Sequence, residues 1–192
     1  MRAHIKAVRG ARVTSICGAF LVLVTIAGCK SSGPVTEASL RAEETQSQIS
    51  RVIDCDRLGM PVDFETHVSA SPGRAAAPVG PLFNLRLHGL RTVSPLLVPG
   101  RQAKSENTFA GLIPFRSEAG GTYTVLVASV AWADVVEADP PRIIQPASFK
   151  WVTLCGKPFK SGLYTLESNK VYFVQLWDSP DRELNVMIRR LP

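Results

Sequence analysis

Residues 170–189 read Lys170-Val171-Tyr172-Phe173-Val174-Gln175-Leu176-Trp177, then Asp178-Ser179-Pro180-Asp181, then Arg182-Glu183-Leu184-Asn185-Val186-Met187-Ile188-Arg189. The first eight are rich in β-branched and aromatic side chains, which suit a pleated, half-buried surface. The middle four form a turn, where Asp bonds its own backbone and Pro presets φ. In the last eight, Leu184, Val186 and Ile188 alternate with Asn185, Met187 and Arg189. That is the period of two of a strand with one face in a core. The same pattern recurs upstream. Phe83, Leu85 and Leu87 alternate with Asn84, Arg86 and His88, and Tyr123, Val125 and Val127 with Thr122, Thr124 and Leu126. Phe149, Trp151 and Thr153 alternate with Lys150, Val152 and Leu154. Gly120-Gly121, Asp139-Pro140-Pro141, Ser161-Gly162 and Ser168-Asn169 are further turn signals. Short strands at spacings of roughly 10–15 residues, with no helical period between them, predict an all-β fold. The expected architecture is an antiparallel β-sandwich, jelly-roll or immunoglobulin-like.

Size and charge narrow the protein class further. Its 192 residues suit one domain with a tail, and 45% hydrophobic content excludes a disordered or collagen-like chain. The 22 Lys and Arg outnumber 16 Asp and Glu, but Arg2, Lys6, Arg9 and Arg12 all fall in the first 28 residues, which hold no acid. Subtracting them leaves 18 against 16, a net +2, too small a footprint for nucleic acid. From Lys30 to Ser50 the composition is polar and reads as a spacer, with a short weak helix near Glu37–Gln48. Ser71–Pro81 is rich in Pro and Gly and reads as a loop.

The four N-terminal cations precede an apolar run from Ile16 to Ala27. Cations, a short apolar core and small residues make a secretory signal peptide, since a membrane-spanning helix needs about 20 apolar residues. Ile26-Ala27-Gly28-Cys29, at the end of the run, resembles the lipobox of bacterial lipoproteins. The resemblance implies that Cys29 becomes the lipidated N-terminus, with 1–28 removed, 29–50 a flexible tether and 51–192 the sandwich domain. Two or three acyl chains make a stable anchor where one is marginal. By the sorting rule that the resemblance brings, Lys30 implies the outer membrane, with the domain on its periplasmic face. The plainer alternative is an ordinary signal peptide with Cys29 left as a free thiol.

Cys17 leaves with the signal peptide, so Cys55 and Cys155 remain as two thiols in an oxidising compartment. The simplest assignment joins them, and closing so long a loop stabilises by up to about 4–5 kcal/mol in the chain-entropy model. Two buried free thiols are the alternative. Phe109-Ala110-Gly111-Leu112, Gly121–Val125, Trp132–Val136, Cys155 and Val171–Trp177 are together similar to the strand-and-turn series of small bacterial envelope β-sandwich proteins. That likeness spans residues 55–190 and consists of packing residues and turns, so it implies no chemistry.

Residues for catalysis are sparse. The mature chain has only His67 and His88, with neither a His-x-Glu nor a His-x-Asp pairing for a non-haem iron site, and no Gly-x-Ser-x-Gly elbow. Glycoside hydrolysis needs two facing carboxylates. Asp134 and Glu137 are read at a strand end, and Asp178 and Asp181 in a turn. No catalytic residue, metal or cofactor is expected. Trp132, Trp151 and Trp177 are read as core, as tryptophans in alternating apolar runs usually are. With Asp134, they are also the candidate ligand face if exposed. Asp134 near Trp132 and the group of Lys150, Lys157 and Lys160 read as a solvated rim. The expected function is a non-catalytic, lipid-anchored envelope protein, an assembly or interaction module with a protein partner. The alternative is a binding module for envelope polysaccharide or peptidoglycan.

Overall fold

The computed structural model describes Ile49, Ile53, Cys55, residues 60–70 and residues 76–192. The signal peptide, Cys29, the helix expected near Glu37–Gln48 and all of the tether except Ile49 lie outside the described residues.

Eleven strands follow in chain order: β1 (Val62–Glu65), β2 (Leu82–Arg86), β3 (His88–Gly89), β4 (Phe109–Ser117), β5 (Gly121–Val127), β6 (Trp132–Ala138), β7 (Pro141–Ile144), β8 (Ser148–Leu154), β9 (Lys157–Leu166), β10 (Lys170–Ser179) and β11 (Glu183–Arg190). They form a β-sandwich. The larger sheet has the order β1-β2-β11-β5-β9-β8 and the smaller β3-β4-β10-β6-β7. Every pairing is antiparallel except β1 with β2. Residues 180–182 carry the chain from β10 in one sheet to β11 in the other, so Asp178 and Ser179, read as part of the turn, are the last two residues of β10.

The inter-sheet core follows the alternation. Phe83, Leu85, Val125, Val127, Val186 and Ile188 of the larger sheet meet Ile113, Val135, Val174 and Leu176 of the smaller. At one end three rings pack together, Phe115 lying 5.7 Å from Tyr172 and 6.5 Å from Tyr123. Their polar tips are satisfied there: Tyr123 donates to Ala119 O at 2.6 Å, and Tyr172 Oη accepts the Glu167 N–H at 3.1 Å. Buried phenols need such partners.

Each sheet is also covered on its outer face. Ile49, which is helical, and Ile53 pack with Leu126, Phe159, Leu163 and Met187 on the larger sheet. The Ile53 N–H donates to Ile49 O at 3.1 Å. On the smaller sheet, Leu90, Val93 and Leu96 cover Ala110, Leu112 and Phe173.

Two features differ from expectation. Ser161-Gly162 is no turn but lies within β9, where Ser161 Oγ bonds Thr124 Oγ1 at 3.1 Å. Gly162 is there because the Tyr164 ring lies over it: a Cβ would stand 2.7 Å from that ring. The turn is instead Cys155-Gly156, with φ of 52° and 74°, the left-handed pair of a tight hairpin linking β8 to β9. The second difference is β8, where Val152 and Leu154 pack and Phe149 and Trp151 are exposed. As an edge strand, β8 presents Phe149 and Trp151 on the side of β9 that bears Tyr164, beyond the reach of the smaller sheet.

Candidate functional site

Trp132 and Trp177 are directly opposite one another on β6 and β10. Both are half-buried rather than core, and Trp177 packs against the apolar group on the outer face of the smaller sheet. Asp134, next on the Trp132 side of β6, is buried rather than at a strand end or on a solvated rim. Its Oδ1 accepts the Trp132 indole N–H at 2.9 Å and its Oδ2 the Gly100 N–H at 3.1 Å.

That second bond belongs to a series. Gln175, fully buried, accepts the Leu96 N–H at 2.9 Å and donates to Leu97 O at 3.0 Å. Asp178 Oδ1 accepts the Lys104 N–H at 3.1 Å. Three buried polar side chains thus hold the backbone of residues 96–104, an irregular strap across the smaller sheet. The strap satisfies its polar groups through these side chains instead of a strand ladder. Gly100 approaches closely: a Cβ there would lie 3.3 Å from the Trp132 ring.

Trp151 stands apart from the other two tryptophans, on the larger sheet and 52% exposed, beside Phe149 at 47%. Lys160, its partner in register on β9, places its ammonium 5.6 Å from the Trp151 ring centroid, within cation–π range. The same ammonium donates to Val130 O at 2.7 Å and Ala131 O at 2.8 Å, on the segment that leads into Trp132. Lys160 therefore ties the overhanging edge of the larger sheet to the segment that leads into β6 of the smaller. Burial first, then the charges of Arg101 and Lys104, push its ammonium pKa down. The expected Lys150/Lys157/Lys160 group is divided. Lys150 pairs with Ser161, on the face opposite Lys160, and Lys157 follows the Cys155-Gly156 turn.

The remaining buried carboxylate among the described residues is Glu137, next to last in β6 and so near the strand end where it was expected. It receives bonds from Lys170 and Arg142, and chiefly the Lys170 bond holds its carboxyl below the usual glutamate value despite burial. It borders a groove of about 700 Å³ lined also by Leu96, Arg116, Lys170, Val171 and Phe173. His88 Nε2 lies 2.7 Å from Thr66 O, and His67 bridges to Leu112 by its backbone. Cys55 and Cys155 are joined as a disulfide with Cα atoms 5.6 Å apart. Among the described residues, no three His, Cys, Asp or Glu side chains converge as for a metal ion.

Neither a protein family, nor a curated protein, nor a solved structure matches this chain.

Proposed function

We propose that this chain is a non-catalytic, lipid-anchored protein of the bacterial cell envelope, acting from the periplasmic face of the outer membrane as an interaction module. One observation carries the non-catalytic part. The buried carboxylates among the described residues, Asp134, Glu137 and Asp178, are each engaged in holding the frame: two fasten the strap and one bridges Lys170 and Arg142. A general acid or base needs a carboxyl open to a substrate proton. The anchor rests on the cations, apolar run and lipobox of residues 2–29. The disulfide supports an oxidising compartment.

The test is fractionation of cells expressing the wild type and Cys29→Ala. The wild type should sediment with outer membranes through a high-salt wash, and Cys29→Ala should be released. Membrane retention of the variant would overturn the anchor. In-cell cross-linking should capture a stoichiometric envelope component.

A second reading, a glycan-binding module, is favoured by the solvent exposure of Trp151 and Phe149. Aromatic rings held at a surface supply the flat apolar faces on which sugar rings stack.

A further inference from the structure

Resting on the glycan-binding reading, we infer that Trp151, Phe149, Lys160, Arg101 and Lys104 form one binding face for an anionic polysaccharide, a sugar chain bearing carboxylate groups.

Three observations place these residues together. First, Trp151 and Phe149 are two positions apart on β8 and so face the same way, with about half of each side chain open to solvent. Large exposed rings side by side on a sheet edge are uncommon on a surface that binds nothing. Second, the strap is pinned at Gly100 by Asp134 and at Lys104 by Asp178. These anchors hold the backbone at Arg101 and Lys104 on the face of the smaller sheet that bears Trp132 and Trp177, and Lys160, beside Trp151 on the larger sheet, reaches the Val130 and Ala131 carbonyls that lead into Trp132. Third, the charges are not neutralised: among the described residues, none of Arg101, Lys104 and Lys160 is in an ion pair with a carboxylate. Their mutual repulsion is the second cause that depresses Lys160.

Arg101 and Lys104 act on Lys160 as like charges, which costs free energy in the unliganded protein. An anion placed among them removes that cost and accepts charge-assisted hydrogen bonds. Rings give a sugar chain its apolar contact and the cations fix its acidic groups. A purely anionic polymer offers the cations partners but leaves the rings bare, and a neutral glycan does the reverse. The face therefore favours a ligand with both properties.

The experiment uses the full-length mature protein in detergent, read by tryptophan fluorescence and affinity electrophoresis against four probes. These are polygalacturonate, neutral dextran, poly-glutamate, and vesicles of an anionic phospholipid. Polygalacturonate should bind about tenfold more tightly than dextran or poly-glutamate, the ratio that roughly 1.4 kcal/mol of added contact provides. Trp151→Ala and the double variant Arg101→Ala/Lys104→Ala should each lose about tenfold for polygalacturonate, an effect of similar size. Both substitute exposed or half-exposed side chains, and unchanged thermal unfolding would show that they fold. Equal binding of polygalacturonate and dextran would remove the anionic specificity but leave a glycan module. Equal or tighter binding of poly-glutamate or vesicles would overturn the sugar. Binding to none of the probes, or binding indifferent to Trp151→Ala in a folded protein, would overturn both the site and the glycan reading, leaving the anchored interaction module untouched.

Discussion

Gly111 lies in β4 where the chain around Thr66 crosses it. A Cβ at Gly111 would fall 2.3 Å from Thr66 Oγ1 and 2.6 Å from Thr66 Cβ. Thr66 cannot swing away freely, because its Oγ1 donates to Arg86 O at 2.8 Å and its neighbour His67 is bonded to Leu112. Gly111→Ala should therefore destabilise by about 1–3 kcal/mol, the usual cost of overpacking. Gly89, with φ of −57° and nothing within 4 Å of its would-be Cβ, is the matched control. Gly89→Ala should be neutral or slightly stabilising, since alanine restricts the unfolded chain more than glycine. Urea midpoints of the two variants check the contrast, and equal losses would contradict it. At the same scale, Glu137 adds a pH dependence. Its carboxyl is held below the ordinary value of 4.5, chiefly by Lys170. The unfolded state then binds the proton first, so the stability this residue contributes is complete above pH 4.5 and fades as pH falls through the lowered native value. Stability of the wild type and Glu137→Gln, measured across this range, should converge on the acid side.

The strap is the element that carries Arg101 and Lys104 of the candidate face. Gln175 serves Leu96 and Leu97 from the middle of β10, and Gln175→Leu would keep the volume while leaving their backbone groups unpaired. The expected cost is about 1–3 kcal/mol for each group left buried and unsatisfied. Hydrogen exchange should quicken at Leu96 and Leu97 before it quickens in β5 or β11. Uniform exchange would mean that the strap and the sheets open as one unit. None of this was legible in the sequence. The strap has no hydrophobic period, and the residues that hold it lie 34 to 79 positions away. What was legible were the strands and the face each turns to the inter-sheet core: β2, β5 and β11 alternate, and the structure puts Phe83, Val125 and Val186 inside. On β8 the same alternation misled, because period two identifies a strand's two faces without saying which one the partner sheet reaches. Trp151 was thereby assigned to the core by its pattern and is exposed by its place at the edge. Gly162 misled in another way. A glycine that admits a neighbouring ring carries the same letter as a glycine that turns the chain.

At the scale of the whole molecule, the two sheets share one core and each carries its own outer cover, and a single covalent bond joins distant parts of the chain. Cys55 and Cys155 are 100 residues apart. Cys55→Ser and Cys155→Ser should each destabilise by the same amount, up to about 4–5 kcal/mol in the chain-entropy limit, and the double variant no further. Denaturant unfolding of the three variants measures this, and additive losses would contradict it. The cysteine pairing was open to the sequence through compartment and count. The left-handed turn in which Cys155 sits was not, since a two-residue turn of Cys-Gly has a weaker signature than Asn-Gly.

That bond also decides how the domain would respond to mechanical force. A pull between the two ends of the chain enters at the N-terminal side, peels Ile49 and Ile53 from the larger sheet, and then crosses from Cys55 to Cys155. Strands β1 to β8 all lie between those two residues, inside a closed covalent ring, and bear no tension. The load falls on β9, β10 and β11 alone, and β9 is laced along its length to β5 and β8, both within the ring. Stretching the oxidised protein should therefore release only the ends outside the ring, and a reducing agent should lengthen the extension by the contour of the hidden loop.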